Sequence, residues 1–436
     1  MLIQFSVKNF RSLRDTQTLS LARGAGEELE TENSVQLATP GAPALLRSAV
    51  LYGPNAGGKS NLVKALTLME WFVTESATDR QHGDSLPYEP FKLDLVSSTQ
   101  PTEFEASFIS NGVRYQYGFA YTKDRIHEEW LYAYPVGRAQ KWIDRKWNAE
   151  TKAYEWGKMS GLSGTKQIWQ KNTRSNSLFL SQAVQLNSEQ LQPVFAWFKR
   201  TLRVAHFNGW ANSYSAKLCR DDEARPRVIK FLKAADLDID DVHVEVEKFN
   251  PSDVKLKELP EALRQVLIDQ IQDRDQYAIQ TFHRNSKGDL VAFELEEESD
   301  GTKKFFAFAG PWIDVLENGY VLVIDELHNS LHPKMVKFLV DMFHSETHNP
   351  KNAQLIFTTH ETSILNQETF RRDQIWFCQK DADKATVIYP LTDFSPRKER
   401  ENLEVSYLAG RYGGLPFIRS LIASDILKQV ASGATP

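Results

Sequence analysis

Cysteine is almost missing from this chain: there are two in 436 residues, Cys219 and Cys378. One pair cannot build a disulfide framework, and with no CxxC or Cys/His cluster a structural zinc site is excluded as well. A reducing, cytoplasmic setting fits that usage. Long apolar runs are also lacking. No stretch of about 18 apolar residues is available to cross a bilayer, and the opening MLIQFSVKNFRSL has no signal-peptide core. A soluble protein with no membrane role is therefore expected. Nor is there an excess of positive charge: 52 Lys and Arg against 57 Asp and Glu leave a net charge of -5. That balance excludes nucleic-acid binding by bulk charge and leaves only local basic runs, RPRVIKFLK at 225–233 and PRKER at 396–400. Acids interleave or flank both, as in RDDEARPR, so a solvated face is the expectation for each. A heptad seam is absent, because Pro193, Pro226, Pro251 and Pro260 interrupt the mainly helical segment 158–275. No coiled-coil arm is expected.

What is present suffices for a sizeable core, with 41% hydrophobic and 11% aromatic residues. Alternation predicts strands at LIQFSVKNF and QTLSLA, then a buried strand RSAVLYG feeding a Gly-rich turn and a helix from Lys59 to about Glu75. From Phe91 to Trp147 the pattern is β throughout: FKLDL, TEFEASFI, VRYQYGFAY, RIHEEWLYAY and QKWIDRKW, with Asn111-Gly112 as a tight hairpin turn. The segment 158–275 reads as a helical insertion, with helices in SEQLQPVFAWFKRTL and PEALRQVLIDQIQ and short strands at RVAHF and VHVEVEKF. After residue 277, strand and helix alternate: YAIQTFHR, LVAFELE, a helix after Gly301, YVLVIDE, a helix after Pro333, AQLIFTTH, a further helix, QIWFCQ and TVIYPL. Such alternation implies a largely parallel sheet wrapped by helices. The predicted class is α/β, with an N-terminal half at 1–157 holding an antiparallel β subdomain, the insertion at 158–275 and a C-terminal half at 276–436.

Residues 53–60, GPNAGGKS, match GxxxxGK[ST] between a buried strand and a helix, the context that a phosphate loop needs. Gly53, Gly57 and Gly58, with Asn55 between them, let backbone N–H groups curl around phosphates, and the helix start through Asn61 adds partial positive charge. Lys59 reaches the β and γ oxygens, and the Ser60 hydroxyl ligates Mg2+. YVLVIDE is a continuous apolar strand ending in two acids, with Asp325 placed to hold Mg2+ and Glu326 to polarise an attacking water. AQLIFTTH ends at His360, a side chain able to contact the γ-phosphate or orient water. ATP and Mg2+ are the expected ligands. In EEESDGTKKFF at 296–306, Ser299 is an N-cap, Gly301 permits close approach, and the helix start aims its N–H groups at an anion. One phosphate loop has no use for a second phosphate-seeking helix on the same face of its nucleotide. Two copies arranged head to tail do.

In the order phosphate loop, SDGT, acidic strand, NSLHP at 329–333 and His360, the chain resembles the ABC-type ATPase heads; SDGT stands where Ser-Gly-Gly-Gln is commoner. More narrowly it is similar to the AAA-labelled standalone ABC-type ATPases of bacterial anti-phage systems, the RloA-like group related to PtuA and AriA. The likeness runs through KNFRSL, LYGPNAGGKSNL, NGVRYQYGF, EEWLYAYP, IDELHNSLHP, QLIFTTH, RRDQIWF and ENLEVSYLAGRYGGLPF. It implies an ABC-type P-loop ATPase head in which Ser299 and Gly301 close over a second copy's nucleotide. It also implies a homodimer or higher homo-oligomer and a separate effector subunit, commonly a nuclease. Arg11 of KNFRSL is carried toward the nucleotide by the same likeness; a surface arginine at a strand end is the alternative. Two rival readings stand beside this one, a DNA-repair or chromosome-maintenance head and a nucleotide-binding scaffold with negligible turnover. HNSLH lacks the Glu of a zinc helix, so His328 and His332 are not expected to bind metal. Asp381-Ala-Asp383 reads as a polar hairpin turn rather than a nuclease acid pair, and the aromatics of VRYQYGFAY as sheet packing.

Overall fold

The structure, a computed structural model, describes residues 1–79, 81–205, 212–247, 276–397 and 400–416. The expected helix in PEALRQVLIDQIQ lies outside the described residues, as do parts of RVAHF, VHVEVEKF and PRKER and the last residue of the family tail.

A six-stranded sheet forms the centre, in the order Leu202–Ala205, Val321–Ile324, Gln354–Thr358, Ser48–Tyr52, Ile375–Lys380, Thr386–Pro390. The first five are parallel and the last is an antiparallel edge, so the expected largely parallel sheet is present. Its strands are apolar on both faces because both faces are covered. Along Ser48–Tyr52, Ala49 and Leu51 enter one core, and Val50 and Tyr52 enter the other. The first core also takes the helix Lys59–Glu75 and the inner face of the antiparallel sheet; the second takes the helices Asp300–Asn318 and Pro333–His344. One strand of the central sheet, Leu202–Ala205, comes from within the segment 158–275, so that stretch supplies an edge of the main sheet as well as short helices.

Seven strands make the antiparallel sheet, which runs from Ala153–Trp156 through Gln140–Asn148, Ile126–Tyr134, Val113–Tyr121 and Thr102–Ser110 to Leu2–Lys8 and Gln17–Ser20. Asn111 and Gly112 both take left-handed φ values, 50° and 73°, as a two-residue hairpin turn requires. Tyr115, Tyr117, Phe119 and Tyr121 pack into the core, as their alternation predicted.

Three expectations are corrected. FKLDL is not a strand: Asp94 accepts from the Ser97 and Val96 backbone N–H groups, and these local bonds hold residues 94–97 in a turn. The strands Gln276–Arg284 and Leu290–Glu294 do not join the parallel sheet. With Asp241–Glu247 they form a separate three-stranded antiparallel sheet, since the turn at Asn285 to Asp289, with Gly288 at φ 87°, folds the two back on each other. No helix follows His360 before residue 371. Glu361 and Asn366 side chains take the N–H groups of Ser363, Glu368 and Thr369, and those bonds compete with helical ones. No described helix is long and apolar enough to cross a membrane.

Candidate functional site

Because the five parallel strands point the same way, their C-terminal ends share one edge of the sheet, where ligands of open α/β sheets bind. Ser48–Tyr52 delivers the loop 53–60 to that edge, Val321–Ile324 delivers Asp325 and Glu326, and Gln354–Thr358 delivers Thr359 and His360. Lys59 opens the helix and folds back over its own loop, with Nζ 2.8 Å from the Gly53 carbonyl oxygen and 3.1 Å from that of Pro54. The same ammonium lies 3.1 Å from His360 Nε2. Lys59 has only donors, so this nitrogen of His360 is the acceptor and the ring is neutral. Burial and the Lys59 charge both hold the His360 pKa below its ordinary value, and burial lowers that of Lys59.

Asp325 is buried and accepts a 2.6 Å hydrogen bond from the Thr358 hydroxyl, which in turn accepts from the Glu326 backbone N–H at 2.8 Å. Thr358 thus ties the acidic strand to the one beside it. Glu326 is only half-buried and sits at φ 55°, in the left-handed region that costs a non-glycine residue about 1–3 kcal/mol. The strain turns the chain sharply after Asp325. His328 follows, its ring 5.5 Å from that of His360, and burial with Lys304 nearby lowers its pKa. His332 points elsewhere: its Nδ1 accepts from the Lys334 N–H at 3.2 Å and caps the next helix.

The underside of the loop was not legible in the sequence. Thr386 Oγ1 donates to the Gly57 carbonyl at 2.9 Å, Cys378 Sγ lies 3.2 Å from the same oxygen, and Ser12 Oγ sits 2.7 Å from both Thr386 Oγ1 and Asn61 Nδ2. Ser12 belongs to KNFRSL, so the likeness pointed at this segment; nothing in the spacing pointed at Thr386. Arg11, at φ 52°, pairs through its guanidinium with Glu89 at 2.8 Å. Asn55 is exposed and Ser60 half-buried at the mouth of the loop.

Ser299 and Gly301 are placed apart from this cluster. Ser299 is exposed, and its hydrogen bonds are with Thr302 and Lys303; its Oγ accepts from the Thr302 N–H at 3.1 Å, the predicted cap of Asp300–Asn318. A Cβ on Gly301 would lie 3.2 Å from the Ser330 carbonyl oxygen, and Lys304 donates to the Asn329 carbonyl. The SDGT turn therefore rests on NSLHP of its own chain. The structure brings together Gly53, Gly57, Gly58, Lys59, Asp325, Glu326 and His360; Ser299 makes its hydrogen bonds within its own turn, while Lys304 of the same helix lies within reach of the Glu326 charge.

The donor set fits a magnesium nucleotide. The N–H groups of Lys59 and Ser60 open the helix without an intrahelical acceptor, the Lys59 ammonium folds back over the loop, and a serine hydroxyl and a buried carboxylate offer the hard oxygens that Mg2+ prefers. Among the described residues, no group of three or more His, Cys, Asp and Glu gathers as a metal site built from protein alone. Asp381 and Asp383 form the expected hairpin turn and pair with Arg14 at 3.4 and 2.9 Å.

The SMC head domain from Thermotoga maritima is similar over 89% of this chain and 98% of its own, at 12% identity and a TM-score of 0.40. An SmcHead bound to the C-winged helix domain of ScpA is similar over 89% and 97%, at 13% identity and a TM-score of 0.39. A third, the Smc head domain with an extended coiled coil bound to the C-terminal domain of ScpA, derived from Pyrococcus furiosus, covers 89% and 96% at 12% identity and a TM-score of 0.37. No curated protein matches the chain. Residues 48–366 match the model of the family AAA_21, described as "AAA domain, putative AbiEii toxin, Type IV TA system". With the phosphate loop, acidic strand and His360 on one edge of a parallel sheet, the fold is that of an ABC-type P-loop ATPase head, and the chain belongs to the AAA_21 family of AAA domains.

Proposed function

We propose that this chain binds and hydrolyses ATP at a site completed by a second copy, and that its nucleotide state controls a separate effector, a nuclease, in defence against phage. The observation that carries the ATPase reading is the Lys59–His360–Asp325–Glu326 cluster at one sheet edge, with Ser299 exposed elsewhere on the same chain. The reading of defence is supported by the family description, which names a toxin of a toxin–antitoxin system, and by the KNFRSL and IDELHNSLHP likeness.

Lys59 and the loop N–H groups hold the β and γ phosphates. Ser60 and Asp325 hold Mg2+, which when bound neutralises charge developing on the phosphates. Glu326 takes the proton of the attacking water, while neutral His360 helps to orient that water, accepting at one ring nitrogen and donating from the other. Ser299 and the N-terminus of its helix cap the γ-phosphate of the neighbour. Glu326→Gln keeps the geometry but removes the base. It should bind ATP as the parent does, lower turnover by at least about a hundredfold, and accumulate ATP-bound dimers in sedimentation. Parental turnover by that variant would reject the assignment of Glu326.

A further inference from the structure

The loop between Asp325 and the helix Pro333–His344 holds two non-glycine residues in the left-handed region, Glu326 at φ 55° and Ser330 at φ 59°. Each costs about 1–3 kcal/mol, and such a conformation persists only where its surroundings over-determine it. On one side the neighbouring strand does so. The Thr358 hydroxyl accepts from the Glu326 N–H at 2.8 Å, and the Thr358 carbonyl accepts from the Leu327 N–H at 3.1 Å. On the other side the loop folds on itself: the Asn329 N–H donates to the Glu326 carbonyl at 3.1 Å, and the Leu331 N–H to that of His328 at 3.0 Å. The Asn329 carbonyl in turn accepts from the Lys304 ammonium. Two hydrogen bonds therefore lead from Lys304 through Asn329 to Glu326.

Gly301 and Lys304 stand three residues apart in the helix Asp300–Asn318 and so share a face. They meet successive residues of the loop. Gly301 admits the Ser330 carbonyl, 3.2 Å from where a Cβ would sit, and Lys304 takes the carbonyl of Asn329. The half-buried Lys304 side chain lies along the helix, with its ammonium 5.6 Å from the centre of the buried Phe308 ring one turn further on. The Glu326 charge favours the charged form of Lys304 against that burial, as it does for Lys59. Glu326 thus has two ammonium groups near it. Lys59 is committed to phosphate in the proposed mechanism, and Lys304 has no part there.

We propose that Lys304 is a positioning residue for hydrolysis: through the Asn329 carbonyl it fixes the strained turn that carries Glu326, and so sets the carboxylate against the attacking water. The inference rests on the reading of Glu326 as the base. In this role Lys304 acts through Glu326 and needs no contact with nucleotide. A reacting group displaced by about 1 Å can lose about a hundredfold in rate. A clamp of this kind therefore shows in kcat and not in ATP affinity.

Lys304→Met keeps the apolar stem and removes the donor and the charge. Its kcat should fall by at least about tenfold, while its Kd for ATP in calorimetric titration stays within about twofold of the parent. Lys304→Arg keeps charge and donors and should restore most of the loss; Lys304→Gln takes the place of the Met variant if that one does not fold. The deciding measurement adds Lys304→Met to Glu326→Gln. If Lys304 works only through Glu326, the double variant turns over ATP within about twofold of Glu326→Gln alone and gathers the same ATP-bound dimers in sedimentation. A further tenfold loss, or loss of the dimers, would give Lys304 a role of its own at the phosphate or the partner and overturn the proposal. So would parental kcat or weakened ATP binding in Lys304→Met, or an equal loss in Lys304→Arg. Parental turnover by Glu326→Gln itself would fail differently, by removing the base on which the inference stands.

Discussion

His344 is buried behind the phosphate-loop strand, with the Ser48 hydroxyl 2.8 Å and the Gln374 amide nitrogen 3.4 Å from its Nε2. The amide can only donate there, so the ring is neutral, and burial, helped by Arg47, pushes its pKa down to about 3. In the unfolded chain the ring titrates near its ordinary value of about 6.5. Above that pH both states hold it neutral and it adds no pH dependence. Below it, the unfolded chain takes up a proton that the folded chain refuses until about pH 3, so stability falls across that window as pH drops. The expected slope from this one group is about 1.4 kcal/mol per pH unit. His344→Gln should remove one proton's worth of slope from urea denaturation midpoints compared between about pH 6 and 5. An unchanged slope would show that the ring is not held neutral. Single residues of this kind leave no mark in a sequence, because His344 ends an ordinary amphipathic helix and its partners Ser48 and Gln374 lie 296 and 30 positions away along the chain.

At the scale of elements, legibility followed how local the deciding interactions are. The helix from Lys59 and the Asn111-Gly112 hairpin are encoded within a few residues, and both stand where the sequence put them. FKLDL alternates like a strand but is bent by the Asp94 cap and the distant Asn9 clamp. The partners of Gln276–Arg284 were illegible because alternation reports which face is buried and not which strand lies alongside. Gly58 joins both kinds of information. Its φ of 113° is readable from the motif, yet the wall against it, Thr386 Oγ1 at 2.1 Å from where a Cβ would sit, comes from the far end of the chain. Gly58→Ala should therefore weaken ATP binding by more than about tenfold, since the backbone strain alone is worth about 1–3 kcal/mol. Adding Thr386→Ala clears the clash but not the φ, so calorimetric titration should find ATP binding still impaired in the double variant. Full rescue would mean that the wall, and not the backbone, sets the loop's shape.

Within one chain the phosphate loop and the SDGT turn make no hydrogen bond to each other: Lys59 lies beside His360, and the SDGT turn rests on its own NSLHP segment. If the turn completes the neighbour's site, loop and turn are two halves, and defects in them must complement in trans. Lys59→Ala leaves a sound Ser299 turn and no grip on phosphate. Ser299→Arg leaves a sound phosphate loop and a charged, bulky cap that no neighbour can use. Each alone should be inactive, because every site in its homodimer joins one broken half to one sound half. Mixed in equal amounts, half of the dimers are heterodimers, and in these one site unites the sound loop of one chain with the sound turn of the other. The mixture should then regain up to about a quarter of parental ATPase per chain if sites fire independently. A site contained within one chain gives no recovery at any ratio, since neither variant then holds a complete set. Steady-state ATPase across a titration of one variant into the other, peaking at equal amounts, separates the two architectures without a structure of the dimer.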